Sequence, residues 1–102
     1  MVKHIVMWNF KEDVPEGEEK AIKEKAQIEH EALVGVVPGL ISAFVITEPL
    51  SSSSHDFCLV TELETPEALA AYAVNPNHQN VANTYVRPYT CNRAAMDYMM
   101  DS

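Results

Sequence analysis

The chain is poor in basic residues: 7 lysines and arginines stand against 15 aspartates and glutamates in 102 residues, a formal charge of −8. Binding to nucleic acid or to an anionic membrane surface needs a basic patch, so this balance argues against both partners. Apolar residues make up 47% of the sequence and charged residues 22%, as in a globular protein. We expect a single domain over residues 1–102, long enough for one core.

Cysteine and glycine are also scarce. Cys58 and Cys91 lie far apart and form no CxxC pattern, so neither a metal site nor a redox pair is indicated, and we expect two reduced thiols. The three glycines cannot build a phosphate-binding loop. The four histidines lack the i, i+4 spacing with a third ligand that is typical of a metal site. The side chains therefore predict no metal and no cofactor.

A long hydrophobic run is missing as well. The apolar stretch at the beginning of the chain is interrupted by Lys3, His4 and Asn9. It is too polar and too short for the core of a signal peptide or for a membrane-spanning helix. We expect a cytoplasmic protein with no membrane partner.

The first half of the chain predicts a strand, a helix and a second strand. Residues 2–10 alternate, with Val2, His4, Val6, Trp8 and Phe10 on one face. Residues 15–36 predict a helix that begins at Pro15 with an acidic first turn. Its inward stripe is expected to be Ile22, Ala26, Leu33 and Val37, with Glu29 an imperfect member and the Glu29-His30-Glu31 triplet at the surface. Residues 40–48 form the second strand.

The second half predicts a strand, a helical hairpin and a last strand. Residues 57–63 form the third strand after a polar loop of serines. Thr65, Pro66 and Glu67 provide a cap, a proline at the first helical position and an acidic first turn. The hairpin of helices reaches Arg87-Pro88, and residues 89–99 form the fourth strand. The order β-α-β-β-α-β is ferredoxin-like: an antiparallel sheet with its helices on one face.

The predicted sheet is apolar on both faces. An antiparallel sheet with one wet face should alternate apolar with polar residues. The second strand does not, because Ile41, Ala43 and Val45 oppose Leu40, Phe44 and Ile46. A second copy of the sheet is the simplest cover for the face without helices. We expect a two-fold homodimer that closes into an eight-stranded α/β barrel and buries more than ~800 Å² per partner.

One bend carries the candidate site. A residue before proline is pushed out of the helical region, so Asn75 ends one helix, and Pro76 begins the next with Asn75 as its cap. Tyr72 then lies in the last turn of the first helix and His78 in the first turn of the second. An aromatic hydroxyl and an imidazole at one bend could form an acid–base pair. The alternative is a helical hairpin that holds an ordinary half-buried tyrosine and histidine.

Four stretches of the chain resemble the stress-responsive dimeric α/β-barrel domain family, over nearly the full length and in order. They are VKHIVMWNFKED, VPGL, SSSSHDFCLVTELET and LAAYAVNPNHQNVANTYVRPYTCNRAAMDY. The resemblance implies the ferredoxin-like dimer described above. It leaves the activity unassigned, because most members have no established reaction. We expect a homodimer with a pocket for a small apolar molecule.

One plant branch of that family is a polyketide cyclase that performs an intramolecular aldol condensation. It places a tyrosine and a histidine as Tyr72 and His78 stand here, and a further histidine that matches His4. The resemblance implies that Tyr72, His78 and His4 belong to the site, and the chemistry of an aldol cyclisation suits His78 as the base and Tyr72 as the proton donor. We expect His4 and Trp8, on one face of the first strand, to be binding residues at the pocket. The bend differs from the family's His-Pro-x-His, because Asn75 replaces the outer histidine.

Two further alternatives remain open at the level of the sequence. Related dimeric barrels include cofactor-free oxygenases, and Trp8 suits such a site, although this rests on fold analogy alone. Some family members hold a magnesium ion on main-chain oxygens that correspond to Val34, Val37 and Leu40. Free carbonyls at a helix C-terminus attract cations. Main-chain ligation leaves no side-chain pattern, so the sequence does not decide it.

Overall fold

The computed structural model describes residues 1–100, so the last two residues of the predicted domain lie outside the described part. Four strands, β1 (Val2–Phe10), β2 (Leu40–Ile46), β3 (Phe57–Leu63) and β4 (Thr90–Met99), form one antiparallel sheet in the order β2-β3-β1-β4. The predicted ferredoxin-like order is confirmed. No helix within residues 1–100 is long and apolar enough to cross a membrane. The α-helices are α1 (Glu19–Glu31), α2 (Pro66–Val74) and α3 (Pro76–Val81).

Helix α1 is shorter than predicted. A 3-10 turn over Glu16–Glu18 precedes it, and the regular helix ends at Glu31 rather than at residue 36. Gly35 has φ +88°, which no α-helix accommodates, so the chain has already left the helix there. After α3, a π-helical turn (Ala82–Val86) and a 3-10 turn (Arg87–Tyr89) lead into β4. Thr65 caps α2 as predicted, because its side chain accepts a hydrogen bond from the Ala68 amide.

Strand β2 contains an irregularity that the sequence did not reveal. Leu40 pairs with Leu63 and Ser42 with Glu62, so Ile41 is an extra residue in the ladder. Leu40 is therefore buried together with Ala43 and Val45, whereas Ile41 is exposed. The prediction that Ile41 shares a face with Ala43 and Val45 is wrong, because a bulge reverses the alternation at this point.

The core lies between the sheet and the helices, and the predicted inner face of β1 is confirmed. Val6, Trp8, Phe57 and Leu59 form one cluster with Ala26 of α1. A second cluster surrounds the buried Leu63 and Tyr72. The opposite side of the sheet, here called the open face, carries no helix. Its apolar side chains are Ile5, Met7, Phe44, Ile46, Val60, Met96 and Tyr98.

The two edge strands, β2 and β4, differ in how far the helices cover them. Helix α1 packs on β2, and its side chains form hydrogen bonds with backbone groups on the outer edge of that strand. Gln27 Nε2 donates to the Val45 carbonyl (3.3 Å), and the Val45 amide donates to Glu31 Oε2 (3.2 Å). Helix α2 contacts β1, β2 and β3. On β4, by contrast, the helix-side residues Arg93 and Asp97 remain exposed. This leaves an opening between β4 and the helical layer.

The two cysteines lie on different strands, as the predicted order requires. Cys58 is on β3 and Cys91 on β4, and β1 runs between those strands. Neighbouring strands are about 4.8 Å apart, so two such spacings exceed the span of a disulfide. Both thiols are free in the structure.

We predict that Gly39→Ala destabilises the protein more than Gly35→Ala. Both glycines have positive φ, +82° and +88°, which costs an alanine roughly 1–2 kcal/mol. A Cβ at Gly39 would also lie 2.7 Å from Cβ of Ala68, whereas nothing lies within 4 Å at Gly35. The collision should add about 1–3 kcal/mol. Urea unfolding of both variants measures the difference. Equal losses in the free energy of unfolding would show that α2 shifts away from the added methyl group at little cost.

Candidate functional site

A cavity of about 590 Å³ opens between the helix-side face of the sheet and the α2–α3 hairpin. Its size falls in the range of small-molecule pockets. Tyr72, His78, His4 and Trp8 all line it, so the structure brings the four residues singled out in the sequence to one cavity. Buried apolar side chains of Val6, Leu59 and Val86 contribute to its walls.

The bend between α2 and α3 has the predicted form. Asn75 leaves the helical region (ψ 130°), and its side chain accepts a hydrogen bond from the Asn77 amide (2.9 Å). The rings of Tyr72 and His78 consequently lie side by side, with centroids 4.2 Å apart and planes inclined by 34°. Tyr72 is 1% exposed, whereas His78 is half-buried.

His4 is held by a carboxylate that sequence reasoning missed. The register of β1 with β4 places His4 opposite Asp97, and His4 Nδ1 donates a hydrogen bond to the Asp97 carboxylate. The His4 ring also meets the Tyr72 ring edge to face, with centroids 6.2 Å apart. Because a carboxylate only accepts here, Nδ1 carries the proton, and Nε2 of the neutral ring is an acceptor.

His30 is the second residue that was missed. It is 2% exposed and lines the cavity, with its ring centroid 6.3 Å from that of Trp8. The predicted surface position of the Glu29-His30-Glu31 triplet is therefore wrong for His30. The signal was present in the sequence, because His30 follows Ile22 and Ala26 at four-residue steps along the buried stripe. Its Nδ1 donates to the Ala26 carbonyl (2.8 Å).

The protonation states of Tyr72 and His78 follow from burial. Loss of solvent lowers the pKa of His78 to about 4; the hydrogen bond to the Ala73 carbonyl opposes this shift, and the positive charge of Arg87 adds to it, as do His30 and His4 in their protonated forms. Burial also raises the pKa of Tyr72 well above its usual value. At neutral pH the pair thus presents a neutral imidazole and a protonated phenol. Burial is the main cause of both pKa shifts.

Side-chain metal ligands are not gathered anywhere in the described part of the chain: residues 1–100 hold no cluster of three or more His, Cys, Asp or Glu suited to a metal ion. In the connection between α1 and β2, the Val37 carbonyl accepts a hydrogen bond from the Leu40 amide (3.3 Å). The main-chain magnesium site at Val34, Val37 and Leu40 stays a prediction.

Residues 2–100 match the family described as the Stress responsive A/B Barrel Domain, and the chain belongs to this family. The fold and the cavity between sheet and helices thus define an A/B-barrel protein. No curated protein matches the chain.

Solved structures share the fold at low sequence identity. A dimeric ferredoxin-like protein of unknown function from Bacteroides fragilis is 23% identical, with a TM-score of 0.88 over 97% of this chain and 95% of that one. The protein At3g17210 from Arabidopsis thaliana is 19% identical, with a TM-score of 0.77 over 100% and 97%. A hydroxynitrile lyase from Passiflora edulis is 11% identical, with a TM-score of 0.76 over 98% and 93%.

We predict that His78 makes the protein less stable below neutral pH. Its pKa is about 4 in the folded protein and 6.5 in an unfolded chain, so the unfolded state binds the proton first as the pH falls. The free energy of unfolding should be flat above about pH 6.5 and fall towards pH 4, by on the order of 2 kcal/mol for this half-buried ring. Burial lowers the pKa of His30 too, so His30 acts in the same direction.

Urea unfolding of the wild type and His78→Gln between pH 4 and 7.5 tests this. The variant should show the shallower decline, and Asn80→Gln, an exposed change on the same helix, should follow the wild type. Parallel curves for all three proteins would contradict the assignment to His78.

Proposed function

We propose that this A/B-barrel protein is a homodimer that binds one small, largely apolar molecule in the cavity of each protomer. The single observation that carries the proposal is the open cavity of about 590 Å³, which combines apolar walls with a few polar side chains. Ligand pockets have this composition, because apolar walls supply affinity and a few polar groups fix orientation. No glycine-rich loop or metal cluster competes with it within residues 1–100.

The open face of the sheet supports the homodimer. Phe44 is 60% and Met96 66% exposed in a single protomer, and both belong to one continuous apolar surface. Apolar patches of this kind mark association sites. Lys3 and Glu62 form an ion pair (3.2 Å) at one end of the face, where a polar rim is expected. The Bacteroides fragilis protein of the same fold is described as dimeric.

A charge on the open face should prevent dimer formation. Phe44→Glu places a carboxylate in the proposed interface, where it would be buried without a partner. Val74→Glu is the matched control, because Val74 on α2 is 75% exposed and away from the sheet. Sedimentation at micromolar concentration should show a dimer for the wild type and Val74→Glu, and a monomer or aggregate for Phe44→Glu. A well-folded monomeric wild type would contradict the proposal.

A second candidate function, acid–base catalysis on a carbonyl compound, is favoured by the three imidazole groups that line the cavity together with Tyr72. In each of His4, His30 and His78, Nδ1 donates to a fixed oxygen, on Asp97, Ala26 and Ala73 respectively. Nε2 of each neutral ring is then a proton acceptor in a preset orientation. The Tyr72 hydroxyl supplies a protonated donor among them.

These groups meet the needs of an aldol cyclisation. His78 as the base would take a proton from a carbon flanked by carbonyls, and Tyr72 would donate a hydrogen bond to the oxygen on which negative charge develops. His4, held by Asp97, could relay the proton. The roles of His78 and Tyr72 agree with the resemblance to the polyketide-cyclase branch. For the oxygenase alternative, Trp8 offers no comparable support, because it lines the cavity as an apolar wall residue that packs against Phe57, with ring centroids 5.0 Å apart.

If the pair is catalytic, Tyr72→Phe and His78→Ala should fold normally and lose about 10²-fold or more in turnover of a linear poly-β-keto thioester. His55→Ala is the control, because His55 lies in the loop before β3 and bonds to Ser54 and Asn92. Turnover assays beside thermal melts separate the two roles. Losses of about 1–3 kcal/mol in stability with unchanged turnover would assign the pair a purely structural role.

A further inference from the structure

Arginine and histidine side chains of this acidic chain gather around the cavity, whereas no lysine in the described part of the chain lines it. The sequence contains two arginines, Arg87 and Arg93, and both line the cavity, as do three of the four histidines. Of the 15 acidic residues in the sequence, Asp97 is the one within residues 1–100 that lines it, and its carboxylate is engaged by His4. The cavity thus has the opposite charge balance to the rest of the protein.

The charge of Arg87 is oriented without being neutralised. Its Nη1 donates to Oε1 of Gln79 (2.8 Å) and to Oδ1 of Asn83 (2.6 Å), which are neutral amide oxygens. A guanidinium has five N–H donors in a planar fork. The donors on Nη2 and Nε are not used by these two bonds and can bind a ligand. A carboxylate fits such a fork with two parallel hydrogen bonds.

Arg93 adds a second charge from the opposite wall. It lies on the helix-side face of β4, the edge strand that the helices leave uncovered, and its side chain is exposed. Arg87 follows α3 and is exposed as well. The two arginines therefore flank the solvent side of the cavity, whereas the apolar residues Val6, Leu59 and Val86 are buried deeper.

We propose that the molecule bound in the cavity carries a carboxylate, which Arg87 and Arg93 hold at the mouth, and an apolar body that extends towards Val6, Leu59 and Trp8. This inference rests on the small-molecule site proposed above and specifies the chemical class of its ligand. The negative charge of the remaining surface disfavours anion binding elsewhere on the protein. The positive mouth therefore also directs an approaching carboxylate to this one entrance.

Acid–amide pairs of equal shape test the charge requirement. The probes are butyrate, octanoate, 4-phenylbutyrate and 1-naphthoate, each with its neutral primary amide. Trp8 is the only tryptophan in the sequence and lines the cavity, so its fluorescence reports occupancy, and titration calorimetry provides an independent affinity. At least one acid should bind about tenfold or more tighter than its amide, and rising ionic strength should weaken the acid alone.

Three charge variants identify the group responsible. Arg87→Gln and Arg93→Gln should each weaken the acid about three- to tenfold and leave the amide unchanged. Lys20→Gln removes the same charge from the exposed surface of α1 and should change neither. Equal affinity for acid and amide, or an equal effect of all three variants, would overturn the carboxylate assignment and leave the cavity a binding site. If no acid and no amide binds, both the carboxylate assignment and the proposed small-molecule function fail.

Discussion

A four-stranded sheet with helices on one side must bury two apolar faces with one helical layer, and the rest of this structure depends on that mismatch. Both crossover connections place their helices on the same side, where Val6, Phe57 and Leu59 are buried. Phe44 and Met96 on the other side stay largely exposed in the isolated protomer. Exposed apolar area of this extent favours association, so the proposed homodimer would link stability to assembly.

The same uneven coverage creates the cavity. Helix α1 sits over β2, and α2 contacts β1, β2 and β3, so the helical layer ends before it reaches β4. The polar groups of the site occur at this unclosed border of the core. His4 can be buried there because Asp97 on the uncovered strand satisfies its Nδ1, and burial without such a partner would be costly. The site is thus a consequence of where the helices stop.

Local rules were sufficient to predict much of the fold and half of the site. The two-residue period of β1 gave its inner face, and the prolines after Thr65 and Asn75 fixed both helix starts and brought Tyr72 beside His78. The four-residue spacing along α1 also places His30 on the buried stripe, but the acidic neighbours Glu29 and Glu31 suggested a surface position. In each of these cases the decisive neighbours lie within a few residues along the chain.

The remaining features depend on pairing between distant parts of the chain. Asp97 meets His4 across 93 residues, and only the register of β4 against β1 decides which side chain of β4 lies opposite. The bulge at Ile41 is likewise a property of the β2–β3 ladder rather than of the sequence around it. The convergence of Arg87 and Arg93 on one cavity needs both the turn after α3 and the start of β4. Hydrophobic periodicity carries no information on such registers.

The bonds from Gln27 and Glu31 to Val45 give α1 a protective role at the margin of the sheet. An unpaired outer strand is a template to which another chain can add, and here two side chains of the helix occupy backbone groups of that strand. Detachment of α1 alone would release those groups beside the exposed Phe44 and Ile46, while the other strands stayed paired. The aggregation rate of this protein should therefore follow the opening of one helix rather than global unfolding.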